Sequence, residues 1–152
     1  MNLVEGRLRV YLDNCCYNRP YDNQAQLRIS LETQAKLFIQ EQIILGRIDL
    51  ISSYVLNAEN SMNRILSKRE SIKHFMDENT KGYVSAIHKQ EIEAMAAEIT
   101  KDGVKFMDAC HVACALFAEC DYLLSTDDRL LKYKNDGIKI LNPIIFLQEM
   151  ER

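Results

Sequence analysis

The sequence predicts an α/β fold with a five-stranded, mostly parallel sheet covered by helices on both faces. Three observations lead there. Short apolar runs alternate with longer amphipathic stretches along the whole chain, the pattern of strand–helix–strand units whose crossovers lay helices on the sheet. The length of 152 residues fits one domain with a sizeable core. Five Gly and two Pro are too few for long linkers, and no repeat or low-complexity tract interrupts the pattern, so residues 1–152 are read as one domain.

The elements follow in order. Leu8–Leu12 is the first strand, ended by Asp13. Residues 24–45 form a long helix with Leu27, Leu31, Ala35, Phe38 and Leu45 on one face, and Gly46 is placed to cap it. Residues 48–52 are a strand, 54–67 a helix, 71–76 a short helix and 83–86 a third strand. A helix over 88–100 stops at Asp102-Gly103, and another spans 106–119. Residues 122–125 are a strand followed by a short helix to about 133. Residues 138–141 are the last strand, and Asn142-Pro143 opens a C-terminal helix with Pro in its first turn. Functional groups in such folds gather at the carboxyl ends of the strands.

Charge and cysteines narrow the chemistry. Nineteen Lys and Arg against 22 Asp and Glu give a net charge of −3, so no overall basic field draws the chain to a polyanion. Action on nucleic acid would need a local device, and a bound divalent cation is the obvious one. No apolar run reaches the ~20 residues of a membrane helix. Glu5, Arg7 and Arg9 break up the N-terminus, leaving no visible signal peptide. A soluble, cytoplasmic protein with no membrane partner is expected, its five cysteines reduced thiols. Cys110, His111 and Cys114 offer a zinc alternative at helical spacing, but no C-x2-C pair accompanies them, and cysteine commonly serves as a small buried hydrophobe.

Four acids sit where a solvated face does not explain them. Asp13 directly follows the first strand; the plain alternative is a turn or cap residue. Glu59 falls between Val55, Met62 and Leu66 on the helical wheel, in the apolar stripe; it could instead be satisfied by a backbone group or by Arg64. Between Phe106 and Ala118 only Asp108 and His111 are polar, and an unpaired buried carboxylate costs several kcal/mol unless it is neutralised or holds a metal. Asp108 also suits the positive end of its helix, and His111 reads as a satisfied buried histidine. Asp127 follows the fourth strand, with Asp128 beside it; turn geometry decides which points inward, and Asp127 is preferred. Two carboxylates ~5 Å apart repel by roughly 3 kcal/mol at an effective dielectric of about 20, so such a cluster calls for cations. Oxygen ligands favour Mg²⁺ or Mn²⁺, and open Mg²⁺ sites mostly serve phosphoryl or phosphodiester chemistry.

These motifs together resemble PIN-domain proteins of the VapC toxin type. The resemblance runs from Val10-Tyr11-Leu12-Asp13 through Ser52-Ser53-Tyr54-Val55-Leu56-Asn57-Ala58-Glu59. It is tightest at Asp108-Ala109-Cys110-His111-Val112-Ala113 and Leu123-Leu124-Ser125-Thr126-Asp127-Asp128-Arg129-Leu130, and it ends at Ile140-Leu141-Asn142-Pro143. It implies a three-layer PIN-like fold and a Mg²⁺- or Mn²⁺-dependent ribonuclease acting on single-stranded RNA. Carried onto this chain, the metal-binding and catalytic acids are Asp13, Glu59, Asp108 and Asp127. It further implies a cognate antitoxin and a homodimer. Where many relatives carry Thr or Ser to orient the attacking water, this chain has Asn14, whose amide can still hydrogen-bond water. Asn14 is a candidate substrate contact, and so, by nearness in sequence, are Asn18, Arg19 and Arg129, for which plain exposed polar residues are the favoured reading. Two rivals remain at this level: a non-catalytic PIN-like module binding RNA or protein, and an aspartate-based phosphatase. The second usually wants another Asp two residues after the first, where this chain has Cys15.

Overall fold

The computed structural model describes residues 7–151. Their elements are β1 Leu8–Leu12, α1 Asn14–Asn18, α2 Leu27–Ile44, β2 Ile48–Ser53, α3 Tyr54–Ser61, α4 Leu66–Asn79, β3 Thr80–Val84, α5 Lys89–Thr100, α6 Phe106–Phe117, β4 Tyr122–Leu124, α7 Asp128–Leu131, β5 Lys139–Leu141 and α8 Pro143–Met150. Short 3₁₀ turns follow α1 and β3.

The strands form one parallel sheet in the order β3-β2-β1-β4-β5. Neighbouring residues of a strand point to opposite faces. Val10, Tyr11 and Leu12 of β1 are all fully buried, as are Leu50 and Ile51 of β2, so both faces are covered. Helix α2 packs with α8, and α5 packs with α6. The chain starts at the sheet centre, builds outward through β2 and β3, then returns to the other side of β1 for β4 and β5. The reversal lies between β1 and β4, where doubly wound sheets open a crevice at the carboxyl ends of the strands. There the Asp13 amide donates to the Leu124 carbonyl at 3.1 Å and the Ser125 amide to the Leu141 carbonyl at 3.0 Å, which fixes the chain just past both strands.

The five strands are those expected from the sequence, with β3 beginning three residues earlier than expected. Gly46 caps α2 as expected: its φ is +77°, its amide donates to Ile43, and that of Arg47 donates to Gln42, the paired bonds of a left-handed helix end. Three expectations need correction. The helix expected over 54–67 is two helices, because Asn63 intervenes. Its side chain accepts from the Ile65 amide and its carbonyl accepts from Arg69, local bonds that compete with helix continuation. Residues 71–76 then lie inside α4 rather than forming a helix of their own. The buried face of α2 also differs from the expected one. Leu27, Leu31, Phe38 and Leu45 are exposed, whereas Ala35, Ile39 and Ile43 are buried, and so are Glu32, Lys36 and Gln42. A polar flank can turn inward here because Glu32 is paired with Arg19 and Arg28.

Candidate functional site

Asp13 ends β1 and caps α1, its Oδ1 accepting the Cys16 amide at 3.1 Å. It is 3% exposed. Cys15 Sγ lies 2.8 Å from the same oxygen and accepts the Thr126 amide at 3.3 Å. The Asp127 amide in turn donates to Ser125 Oγ at 3.0 Å. The loops after β1 and β4 are thus laced together at the crevice. Asp127 caps α7, accepting the Arg129 amide at 2.9 Å, and Asp108 sits in the first turn of α6.

Glu59 is delivered by α3 and held by a buried relay. Ser53 Oγ caps α3 by accepting the Leu56 amide and lies 2.7 Å from Tyr11 Oη. Tyr11 Oη lies 2.6 Å from His111 Nδ1, and His111 Nε2 lies 2.5 Å from Glu59 Oε1. One assignment satisfies every atom: Ser53 donates to Tyr11, Tyr11 to Nδ1, and Nε2–H to the Glu59 carboxylate. The expected apolar stripe of Glu59 does not exist, since Met62 and Leu66 are exposed, and its partner is His111 rather than Arg64. The relay orients Glu59 from the core; if Glu59 holds a cation, Tyr11→Phe is expected to lower metal affinity about tenfold, as loss of a ligand's supporting hydrogen bond does, without unfolding the protein. Metal titration by calorimetry beside thermal unfolding checks it.

These pieces enclose a cavity of about 130 Å³ lined by Asp13, Asn14, Cys15, Glu59, Asp108, His111 and Asp127, room for a cation with a few waters at ~30 Å³ each. Asp128 points elsewhere and pairs with Arg28. Asn18 does not line the cavity; its amide donates to Asn14. Arg19 is committed to Glu32 and Asp22, and Arg129 is exposed on α7. Cys110 and Cys114 form no group with His111, both of whose nitrogens are engaged by Tyr11 and Glu59.

The electrostatics are those of a cluster short of positive charge. Among the described residues, none of the four cavity carboxylates is paired with an arginine or lysine. Burial, and after it the neighbouring Cys15, push the Asp13 carboxyl well above the usual carboxylate range. Burial also raises the Asp108 carboxyl, followed by repulsion from Asp127, with His111 opposing. Carboxylates driven towards their neutral forms are what a site of this composition presents to a divalent cation. The carboxylate oxygens lining the cavity are donors of the kind that could hold a divalent cation. Among the described residues, the ligand atoms of Asp13, Cys15 and Cys16 all lie within 4.8 Å of one another, which adds sulfur to the oxygens. Nothing in the sequence pattern marks Tyr11 or Cys15 as part of this site. The one available signal was that His111 is polar in an otherwise apolar helix.

No family model matches the sequence, and no curated protein does. Solved structures do. The chain is similar to one in the structure of VapBC2 from Rickettsia felis bound to a DNA fragment from their promoter, with a TM-score of 0.56 and 11% identity over 89% of this chain and 98% of that one. It is also similar to one in the structure of FitAcB from Neisseria gonorrhoeae, with a TM-score of 0.53 and 13% identity over 88% of this chain and 97% of that one.

Proposed function

We propose that this chain, whose fold is that of a VapC-like PIN domain, is a Mg²⁺- or Mn²⁺-dependent endoribonuclease that hydrolyses single-stranded RNA. One observation carries the reading: four carboxylates from four distant stretches of chain line one small cavity with no arginine or lysine paired to them. Asp13, Glu59 and Asp108 would hold the ion, with Asp127 completing the site. A divalent cation there supplies charge neutralisation and Lewis acidity. The residues do the rest. His111 Nε2–H keeps Glu59 turned inward, and the Asn14 amide is available to hold the attacking water. A carboxylate oxygen at the cavity takes that water's proton. In-line attack of the water oxygen on phosphorus breaks the bond to the 3′ oxygen, which takes a proton from solvent, leaving a 3′-hydroxyl and a 5′-phosphate.

The partners belong to the same reading. The similar chains come from structures described as VapBC2 and FitAcB. We extend to this chain the role of toxin in a toxin–antitoxin pair, with a cognate antitoxin, a homodimeric state and a cytoplasmic location. Among the described residues no helix is long and apolar enough to cross a membrane.

The test is cleavage of labelled single-stranded RNA by the purified chain. Cutting is expected with Mn²⁺ or Mg²⁺, is lost in EDTA, returns when Mn²⁺ is restored, and yields 5′-phosphate ends. RNA binding without cutting in Mn²⁺ would establish a non-catalytic module instead, and cutting that survives chelation would remove the metal from the mechanism.

A further inference from the structure

We propose that Arg28 is the positioning residue for Asp127, aimed by the buried Glu32 and holding the chain on both sides of that acid. Arg28 stands on α2, 100 residues before Asp128 in sequence. Its Nη1 and Nη2 donate to Asp128 Oδ2 and Oδ1 at 2.9 and 2.7 Å, and Nη2 also donates to the Thr126 carbonyl at 3.2 Å. Thr126 and Asp128 flank Asp127, so one planar guanidinium grips the residue before it and the residue after it. A forked contact fixes direction as well as distance, which an ammonium cannot do. The grip draws Asp128 away from the cavity and leaves Asp127 as the acid that lines it.

The guanidinium is itself held. Its Nε donates to Glu32 Oε2 at 2.9 Å. Glu32 is fully buried, takes Arg19 Nε on its other oxygen at 2.9 Å, and receives the Asn142 amide. Asn142 in turn caps α8 through the Ile144 amide. Glu32 thereby ties together the segment after α1, helix α2 and the start of α8, all outside the cavity. A buried carboxylate with two arginines and an amide is a rigid anchor for the one arginine that reaches the loop after β4. The consequence for a bound cation rests on the reading of Asp127 as a ligand; the mechanical role does not.

Two readouts test it separately. The Arg129 amide, which donates to Asp127 Oδ1, reports the loop by hydrogen exchange, and Mn²⁺ calorimetry reports the site. Arg28→Ala should speed exchange at Arg129 at least about tenfold while the amides of β1 and β2 stay protected, and should weaken Mn²⁺ binding about tenfold, the effect expected of a residue that orients a ligand. Arg28→Lys should fail to restore either. In an Asp127→Ala background, Arg28→Ala should weaken Mn²⁺ no further. Asp128→Ala leaves Glu32 paired with both arginines and should move Arg129 exchange in the same direction, which covers a poorly folding Arg28→Ala. Unchanged Arg129 exchange in Arg28→Ala and Asp128→Ala, or an equal loss of Mn²⁺ affinity with Asp127 already gone, overturns the proposal. Faster exchange in a protein whose wild type binds no Mn²⁺ leaves the grip standing and removes the nuclease reading.

Discussion

Asp108→Asn is expected to abolish RNA cleavage while leaving the metal-free protein as stable as the wild type, or more so. Two physical arguments meet here. As the metal ligand proposed above, Asp108 would contribute an anionic oxygen that an amide does not replace, so the loss should exceed the roughly hundredfold upper end seen when merely supporting partners are removed. As a structural group, Asp108 is a liability. Burial and repulsion from Asp127 both push its carboxyl up, and no arginine or lysine is paired with it. The isosteric amide removes that repulsion and has no charge to desolvate. If the relief is about 1 kcal/mol, the midpoint of unfolding rises by about 2–4 °C for a chain of this size. Cleavage assays and thermal unfolding in EDTA measure the two halves. A marked loss of metal-free stability would make Asp108 part of a structural network instead, since breaking a satisfied buried pair is strongly destabilising.

The same balance between local pattern and long-range contact explains what could be read from the sequence. The strands were legible because a central parallel strand is apolar on both faces, as Val10-Tyr11-Leu12 is, and because each is followed by turn residues. Asp13 and Asp127 were legible by position, as the first acids after such runs. The apolar stripe that marks Glu59 in the sequence is not a buried stripe in the fold, where Met62 and Leu66 are exposed and the helix breaks at Asn63. The inward face of α2 was illegible because Leu31 and Phe38 look like core while Glu32 does not; only Arg19 and Asn142, brought in by the fold beside the helix neighbour Arg28, reverse that order. The choice between Asp127 and Asp128 was open for the same reason. It is decided by Arg28, and no local pattern ties residue 28 to residue 128. The Tyr11–His111–Glu59 relay joins three separate segments, and sequence spacing carries no trace of it.

Mn²⁺ is expected to reverse the pH dependence of stability. The folded-state carboxyls of Asp13 and Asp108 are raised above their ordinary value of 3.8. Between that value and the raised ones the native state holds more protons than the unfolded state. The slope of unfolding free energy with pH is therefore negative. The contribution of these groups is fully present below about pH 4 and is lost as pH rises through their folded values. Metal-free protein should accordingly lose stability from this cluster as pH rises above about 4. A cation needs the same carboxylates ionised, so its binding, and the stability it adds, should be negligible near pH 4 and grow as pH rises. At a hundred times its Kd, Mn²⁺ adds about 2.7 kcal/mol, roughly 5–11 °C in the midpoint at about 2–4 °C per kcal/mol. Calorimetric scans at pH 5 and pH 8, with EDTA or with Mn²⁺, give the four values needed. The difference between wild type and Asp108→Asn separates the cluster from the chain's other acids. A cation effect of equal size at both pH values, or a wild-type deficit relative to Asp108→Asn that shrinks as pH rises in EDTA, contradicts the electrostatics on which the site is built, because repulsion among ionised carboxylates can only grow as their protons leave.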